Sequence, residues 1–299
     1  MLNNIIINDN KIQIGGYILP ADFKYLEIDF LGSLQGKEFS TKVEEVYFKL
    51  TGKEYNFNKN VEIFMVDDTI CALDLASNRN ANYLDVIDDN EDFSTKIYTL
   101  VSIFTACYVD LVDSGIIKSL EKVNFALPSD DGIFLLSLFI AKKIGLPIDT
   151  IICGGEVKTV PQIKGLYFKR VNETDIEDFI GIFFDEYDMA LDPISVKGIV
   201  AMDGFYDSYE DENVTVYLNL SSPYLFARKV LNIVSGEKIL DVYKAIDKLY
   251  FETSQDIPES IKNKEIPLYY QENIKMPLDI AISFINAYLK VWFLITCVI

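Results

Sequence analysis

The stretch VNFALPSDDGIFLLSLFIAKKIGLP, residues 123–147, decides the class of fold. Its opening VNFALP is apolar and strand-like. Residues 134–144 then carry apolar side chains at three- and four-residue spacing and stop at Gly145 and Pro147, as a helix does. Between them lie Ser129, Asp130, Asp131 and Gly132, residue types that turn a chain and cap a helix. The same strand, turn, helix order recurs on both sides. Strand-like runs rich in β-branched and aromatic residues occupy 61–66, 70–75, 150–153, 166–171 and 214–220, and helical patterns occupy 93–112, 175–184, 193–202, 223–234 and 239–249. Strands separated by helices of this length predict an α/β fold, a mostly parallel sheet flanked by helices with right-handed crossovers.

Composition narrows the functions open to such a chain. With 299 residues, half of them hydrophobic and 24% charged, it can bury the core of one large domain or two small ones. Lys and Arg total 27 against 46 Asp and Glu, a net charge of -19 with no basic run to offset it, which argues against nucleic acid and anionic lipid as partners. Cys71, Cys107, Cys153 and Cys297 lie far apart in apolar runs, the pattern of reduced, buried thiols in a cytoplasmic protein. There is no histidine, so Ser-His and Cys-His relays and histidine metal sites are excluded, and no metal ligand set is expected. Neither the G-x-G-x-x-G nor the G-x-x-x-x-G-K-[ST] pattern occurs. The acidic stretches 87–92 and 202–213 read as solvated loops. Residues 280–299, IAISFINAYLKVWFLITCVI, approach the roughly 20 residues of a membrane helix, but Lys290 sits mid-span with Asn286 close by. A helix docked on the core or on a partner is preferred to a membrane anchor.

The turn at 129–132 is the place to look for chemistry. A helix N-terminus that follows a parallel strand presents free N–H groups and the positive end of the helix dipole, and so attracts anions. Here two carboxylates occupy that place. They read as helix caps, with Ser129 or Asp130 accepting the N–H bonds, and equally as an emptied phosphate site.

At this junction the sequence resembles the threonine synthase family of pyridoxal phosphate enzymes, whose corresponding segment runs P-[ST]-G-N-F-G-D and continues into a helix ending A-K-x-x-G-L-P. Pro128, Ser129, Ala141, Lys142, Gly145, Leu146 and Pro147 match without a gap, while the G-N-F-G cradle has become Asp130, Asp131, Gly132 and Ile133. Upstream, LDLASNRNANYLD at 73–85 is similar to the family's L-E-L-F-H-G-P-T-L-A-F-K-D, and the lysine that forms the internal aldimine falls on Leu84. Residues 186–202 resemble a segment in which Ile194 replaces a histidine. Residues 216–226, VYLNLSSPYLF, resemble a strand in which Leu220 stands for the threonine facing the pyridine nitrogen and Ser222 for a histidine. GGYILP at 15–20 and IPLYY at 266–270 look like further landmarks.

The resemblance implies the large domain of a fold-type II pyridoxal phosphate enzyme over 1–286, the family's smaller domain deleted near 86–92, and a hydrophobic tail at 287–299. It further implies that pyridoxal phosphate was the ancestral cofactor and has been lost: Leu84 cannot form a Schiff base, and carboxylates beside a phosphate oppose its binding. The expected role is then a scaffold that meets a protein partner or a second copy of itself. The alternative is a threonine synthase-related enzyme, acting in O-phosphohomoserine or amino-acid metabolism, or a small-molecule binder, using a residual cleft formed by Ser129, Asp130, Asp131, Ser221 and Ser222.

Overall fold

A computed structural model describes residues 5–8, 10–59, 61–66, 70–75, 92–156, 162–263 and 275–296. Leu84, nearly all of the 86–92 junction, residues 266–270 and Cys297 lie outside the described residues. A small antiparallel sheet, β1 (Ile6–Asn8), β2 (Lys11–Ile14) and β3 (Tyr17–Pro20), precedes the main one. The main sheet holds β4 (Glu62–Met65), β5 (Ile70–Asp74), β6 (Val123–Pro128), β7 (Ile148–Gly155), β8 (Leu166–Arg170) and β9 (Thr215–Asn219) in the order β4-β5-β9-β6-β7-β8. Only β4 runs antiparallel to its neighbour; the other pairings are parallel. The helices are α1 (Ile28–Gly32), α2 (Phe39–Thr51), α3 (Phe93–Asp113), α4 (Gly132–Ile144), α5 (Glu173–Tyr187), α6 (Val196–Tyr206), α7 (Ala227–Ser235), α8 (Val242–Thr253), α9 (Glu259–Lys262) and α10 (Leu278–Thr296). The predicted class, a parallel-dominated sheet flanked by helices, is the one observed.

Side-chain alternation along the strands divides the core in two. Cys71, Leu73, Phe125, Leu127, Ile151, Cys153, Val216 and Leu218 point to one face, where α3, α4 and α10 cover them. Ala72, Ala126, Ile152 and Tyr217 point to the other, covered by α5 to α8. Helices α3 and α4 are buried nearly all round because each is enclosed between the sheet and further helices. By length and composition α3 alone, among the described residues, could cross a membrane, yet it is mostly buried in this core. Helix α10 docks on the core as preferred above: Ala281, Phe284, Ile285, Ala287 and Tyr288 are buried against it. Cys71, Cys107 and Cys153 are buried and unbridged, and burial pushes their thiols well above the usual range.

Helix α6 differs from expectation at both ends. The loop expected from Met202 begins only after Tyr206, because Phe205 is buried and meets Tyr167 edge-on with ring centroids 5.4 Å apart. The helix itself starts at Val196, three residues later than the pattern implied, since Asp192 and Ser195 form its entry turn.

Strand order determines where a ligand can sit. Helices α3 and α4, which follow β5 and β6, lie on one face of the sheet, whereas the chain leaving β9 enters α7 on the other. Because β9 lies between β5 and β6, the connections that follow neighbouring strands lie on opposite faces of the sheet, the place where an α/β fold leaves a crevice.

Helix α6 rests almost directly on the sheet backbone. A Cβ at Gly154 would lie 1.9 Å from the Lys197 carbonyl oxygen, and one at Gly198 would lie 3.2 Å from the backbone of Leu127. Gly154→Ala must therefore push α6 away from β7, and we expect a loss of about 1–3 kcal/mol, read as a lower urea midpoint at unchanged slope. An unchanged midpoint would mean that the helix does not sit this close.

Candidate functional site

The first turn of α4 is closed by the chain itself. Asp131 is the N-cap, and its Oδ1 accepts from the N–H of Ile133 at 3.0 Å and from the N–H of Met276 at 3.0 Å. The N–H of Gly132 donates to the Met276 carbonyl at 2.8 Å. A Cβ on Gly132 would meet the Ala281 Cβ at 2.7 Å, so glycine is required for the segment entering α10 to pack against this turn. Asp131 is 5% exposed and Ile133 3%; neither faces open solvent. Ser129 is buried beside them, its N–H donating to the Gly154 carbonyl at 2.8 Å.

Asp130 turns the opposite way, toward α6, where its Oδ1 accepts from Lys197 Nζ at 2.7 Å. Its second oxygen is buried without a hydrogen bond among the described residues. Close to it lies Asp192, fully buried, whose Oδ1 accepts from the N–H groups of Ile194 at 2.8 Å and Ser195 at 3.0 Å while Oδ2 has no such partner. The Ser195 hydroxyl accepts from the Leu220 N–H at 2.8 Å and so ties this turn to the end of β9. Burial pushes the Asp192 carboxyl up to about 6, hydrogen bonds from Ser195 and Ile194 hold it down in part, and the negative charge of Asp130 raises it further.

Ser221 and Ser222 follow β9 and line a separate cavity of about 300 Å³ at the carboxyl ends of β5 and β9, together with Asp74, Asn219, Glu62 and Gln255. Ser222 is structural: its Oγ accepts from the Tyr224 N–H at 3.3 Å and caps the short 3-10 turn Pro223–Phe226. Gln255 is spoken for as well, since its Oε1 accepts from the Ala190 N–H at 2.7 Å. Ser221 is 1% exposed, yet its Oγ has no hydrogen bond among the described residues, and neither does Oδ1 of Asn219. The residues named from sequence thus fall into two places: Ser221 and Ser222 in the cavity, and Ser129, Asp130, Asp131, Gly132 and Ile133 at the α4 turn, outside its lining. Leu220 is buried between them and 2% exposed.

Sequence reasoning did not assign Asp74, Asp192, Lys197 or Asn219 to a site. Only Asp192 carried a local signal, the Asp-Pro-x-Ser turn in which an aspartate accepts from N–H groups two and three residues ahead. The sequence has no basic run, but the fold assembles a basic patch: Lys122, Lys142, Lys143 and Lys164 line a cavity of about 550 Å³ at the opposite ends of β7 and β8. Burial and then the neighbouring lysines lower the Lys142 ammonium below its usual value, despite an opposing contribution from Asp149. No group of three or more Cys, Asp or Glu able to hold a metal occurs among the described residues.

No protein-family model matches the chain, and no curated protein matches it. Solved structures do. A pyridoxal phosphate-bound threonine synthase from Brucella melitensis aligns over 92% of this chain and 94% of its own, with a TM-score of 0.58 and 11% identity. Threonine synthase from Escherichia coli aligns over 78% of this chain and 87% of its own, again with a TM-score of 0.58 and 11% identity. The chain therefore has the fold of the threonine synthases. At this level of identity the likeness is one of fold.

Asp192 gives this region a pH signature. A folded carboxyl raised from 3.8 to about 6 contributes stability that is fully present below about pH 4 and is lost as pH rises through about 6. In Asp192→Asn the amide still accepts from Ile194 and Ser195 but carries no charge. The stability of the variant relative to wild type should rise by on the order of 2–3 kcal/mol between pH 4 and pH 7, followed by urea unfolding across that range. A difference independent of pH would place the charge of Asp192 elsewhere.

Proposed function

We propose that this chain is a threonine synthase-like protein that has given up pyridoxal phosphate and aldimine chemistry and serves as a scaffold for another protein. The observation that carries this reading is the α4 turn. A phosphate bound after a parallel strand needs the first N–H groups of the following helix. Here the Gly132 and Ile133 N–H groups are spent on the Met276 carbonyl and the Asp131 carboxylate. In this reading the residues present do not fit the cofactor phosphate. The Asp131 carboxylate already stands there, and a unit charge about 4 Å from a phosphate opposes it by about 4 kcal/mol at an effective dielectric near 20.

The alignment supports the same reading, with Leu84 at the position of the aldimine lysine and Leu220 facing where a pyridine nitrogen would lie. Deletion of the smaller domain near 86–92 is part of this reading and is supported by the short span between β5, which ends at Asp74, and α3, which begins at Phe93. A protein partner, or a second copy, is supported by the outer surface of the small sheet, where Ile5, Ile6, Ile7 and Ile18 are each about half exposed.

A second reading, a small-molecule binder that reuses the crevice, is favoured by the cavity at β5 and β9 and by the unpartnered Ser221 and Asn219 oxygens within its lining. Its acidic rim disfavours an anionic substrate such as a phosphate ester.

Titration with pyridoxal phosphate, followed at the aldimine absorbance band, separates loss from retention of the cofactor. Neither the wild-type protein nor Leu84→Lys should form a saturable, stoichiometric aldimine. A stoichiometric band in the wild type would place another lysine at the site and return the chain to the enzymes; a band in Leu84→Lys alone would show that the phosphate is still accommodated and that only the lysine was lost.

A further inference from the structure

We infer that the lysine-lined cavity at the amino ends of β7 and β8 binds a small organic anion, a carboxylate or phosphate head on an apolar body. It lies at the other end of the sheet from the crevice, so the inference stands apart from both readings above. The sheet ends at β8, and helix α6 packs on one face of that strand. On the other face α4 packs on β7 and on α10, and a cavity of about 550 Å³ opens between these elements and the start of β8. Small-molecule sites span roughly 300–1,000 Å³. The floor is hydrocarbon: Leu135 and Phe139 from α4, Ile285 and Leu289 from α10, and Leu166 from β8. Leu166 and Leu289 are only half-buried, so apolar surface is still open here.

Around this floor stand four ammonium groups and one carboxylate, that of Asp149. Asp149 is already engaged: its carboxylate pairs with Lys122 at 2.7 Å, and its carbonyl accepts from the half-buried Lys142. Lys143 and Lys164 are exposed and have no ion pair among the described residues; Lys143 lies over the Phe139 ring, 5.4 Å from its centroid. A ring face attracts an ammonium but does not neutralise it. Burial is the largest cause of the lowered Lys142 value, and the charges of Lys122, Lys143 and Lys164 add to it against the opposing charge of Asp149. The chain as a whole carries -19, but a ligand in the cavity responds first to charges within a Debye length of about 8 Å. An anion relieves the repulsion among the lysines, which a neutral alcohol leaves unchanged and an amine increases. An inorganic anion would use the lysines and leave the floor wet, whereas each methylene buried there strengthens binding about fourfold.

The test is calorimetric titration of the full chain with hexyl phosphate, hexanoate, hexanol, hexylamine and inorganic phosphate. Hexyl phosphate and hexanoate should bind at one site and weaken with added salt, hexyl phosphate the tighter of the two because its head carries more charge. Inorganic phosphate should bind at least about tenfold more weakly than hexyl phosphate, and the alcohol and the amine should not bind. Lys143→Gln combined with Lys164→Gln should weaken both organic anions by about tenfold at an unchanged thermal midpoint, since neither side chain is buried or ion-paired. If that variant does lose stability, the ranking of the five probes on the wild-type chain decides alone. Binding of hexanol as tight as that of the anions would make the cavity merely apolar, and inorganic phosphate as tight as hexyl phosphate would make it merely a charged surface; either overturns the inference. So does anion binding indifferent to the double substitution, or no binding by either organic anion, and both readings of the crevice and scaffold would be untouched by that failure.

Discussion

A single carboxylate oxygen, Oδ1 of Asp131, holds together two parts of the chain that are far apart in sequence. It caps α4 through the Ile133 N–H and anchors the start of the last helix through the Met276 N–H. The reciprocal bond from the Gly132 N–H to the Met276 carbonyl makes the join two-sided. Helix α10 is thereby laid along α4, and its buried residues complete the layer that covers α3, α4 and one face of the sheet. The covered face is what lets α4 be apolar nearly all round; without α10, its outer side would be exposed hydrocarbon. The anion that a helix N-terminus attracts is, in this fold, supplied from within.

The opposite face depends on the absence of side chains. Ala126 and Gly154 leave the backbone of the sheet bare, and Gly198 on α6 lets the helix lie against it. That closeness brings Lys197 within reach of Asp130 and drives Asp192 under the end of β9, where it is held by Ser195. Lys197 pairs with Asp130, and burial, with a smaller contribution from the Asp130 charge, raises the affinity of Asp192 for its proton.

Residues 123–147 were legible because every local preference in them agrees: an apolar strand, a capping turn, an apolar helix and a glycine stop. The same consistency made β5, β9 and α3 readable. The small sheet was not, since strands of three and four residues are too short to display a period. Helix α2 has Val43, Val46, Tyr47 and Leu50 at helical spacing, but also buries Lys42, which only the pairing with Asp110 and Asp113 on α3 explains. The site divides in the same way. The cap was expected at Ser129 or Asp130 and lies at Asp131, and Ser221 and Ser222 were found through the family resemblance. Asn219, Asp74 and Lys197 could not be found, because what matters about them is the strand or helix beside them, and no spacing in the chain encodes that β9 lies between β5 and β6.

The two halves of the crevice have met the loss of solvent in opposite ways. At β6 and α4 the polar groups were closed against one another until the first turn had no donor to offer, a solution that stabilises the fold and leaves little reason for a ligand to enter. At β5 and β9 the closure is incomplete. Ser221 is as deeply buried as a core residue and sits one residue from Leu220, whose own N–H is satisfied by Ser195, yet its hydroxyl has no partner among the described residues. A position under selection for stability alone would be expected to carry alanine here, which removes the unsatisfied oxygen at no steric cost. Serine at 221, where the connections of neighbouring strands lie on opposite faces of the sheet, thus leaves an unsatisfied oxygen that alanine would not.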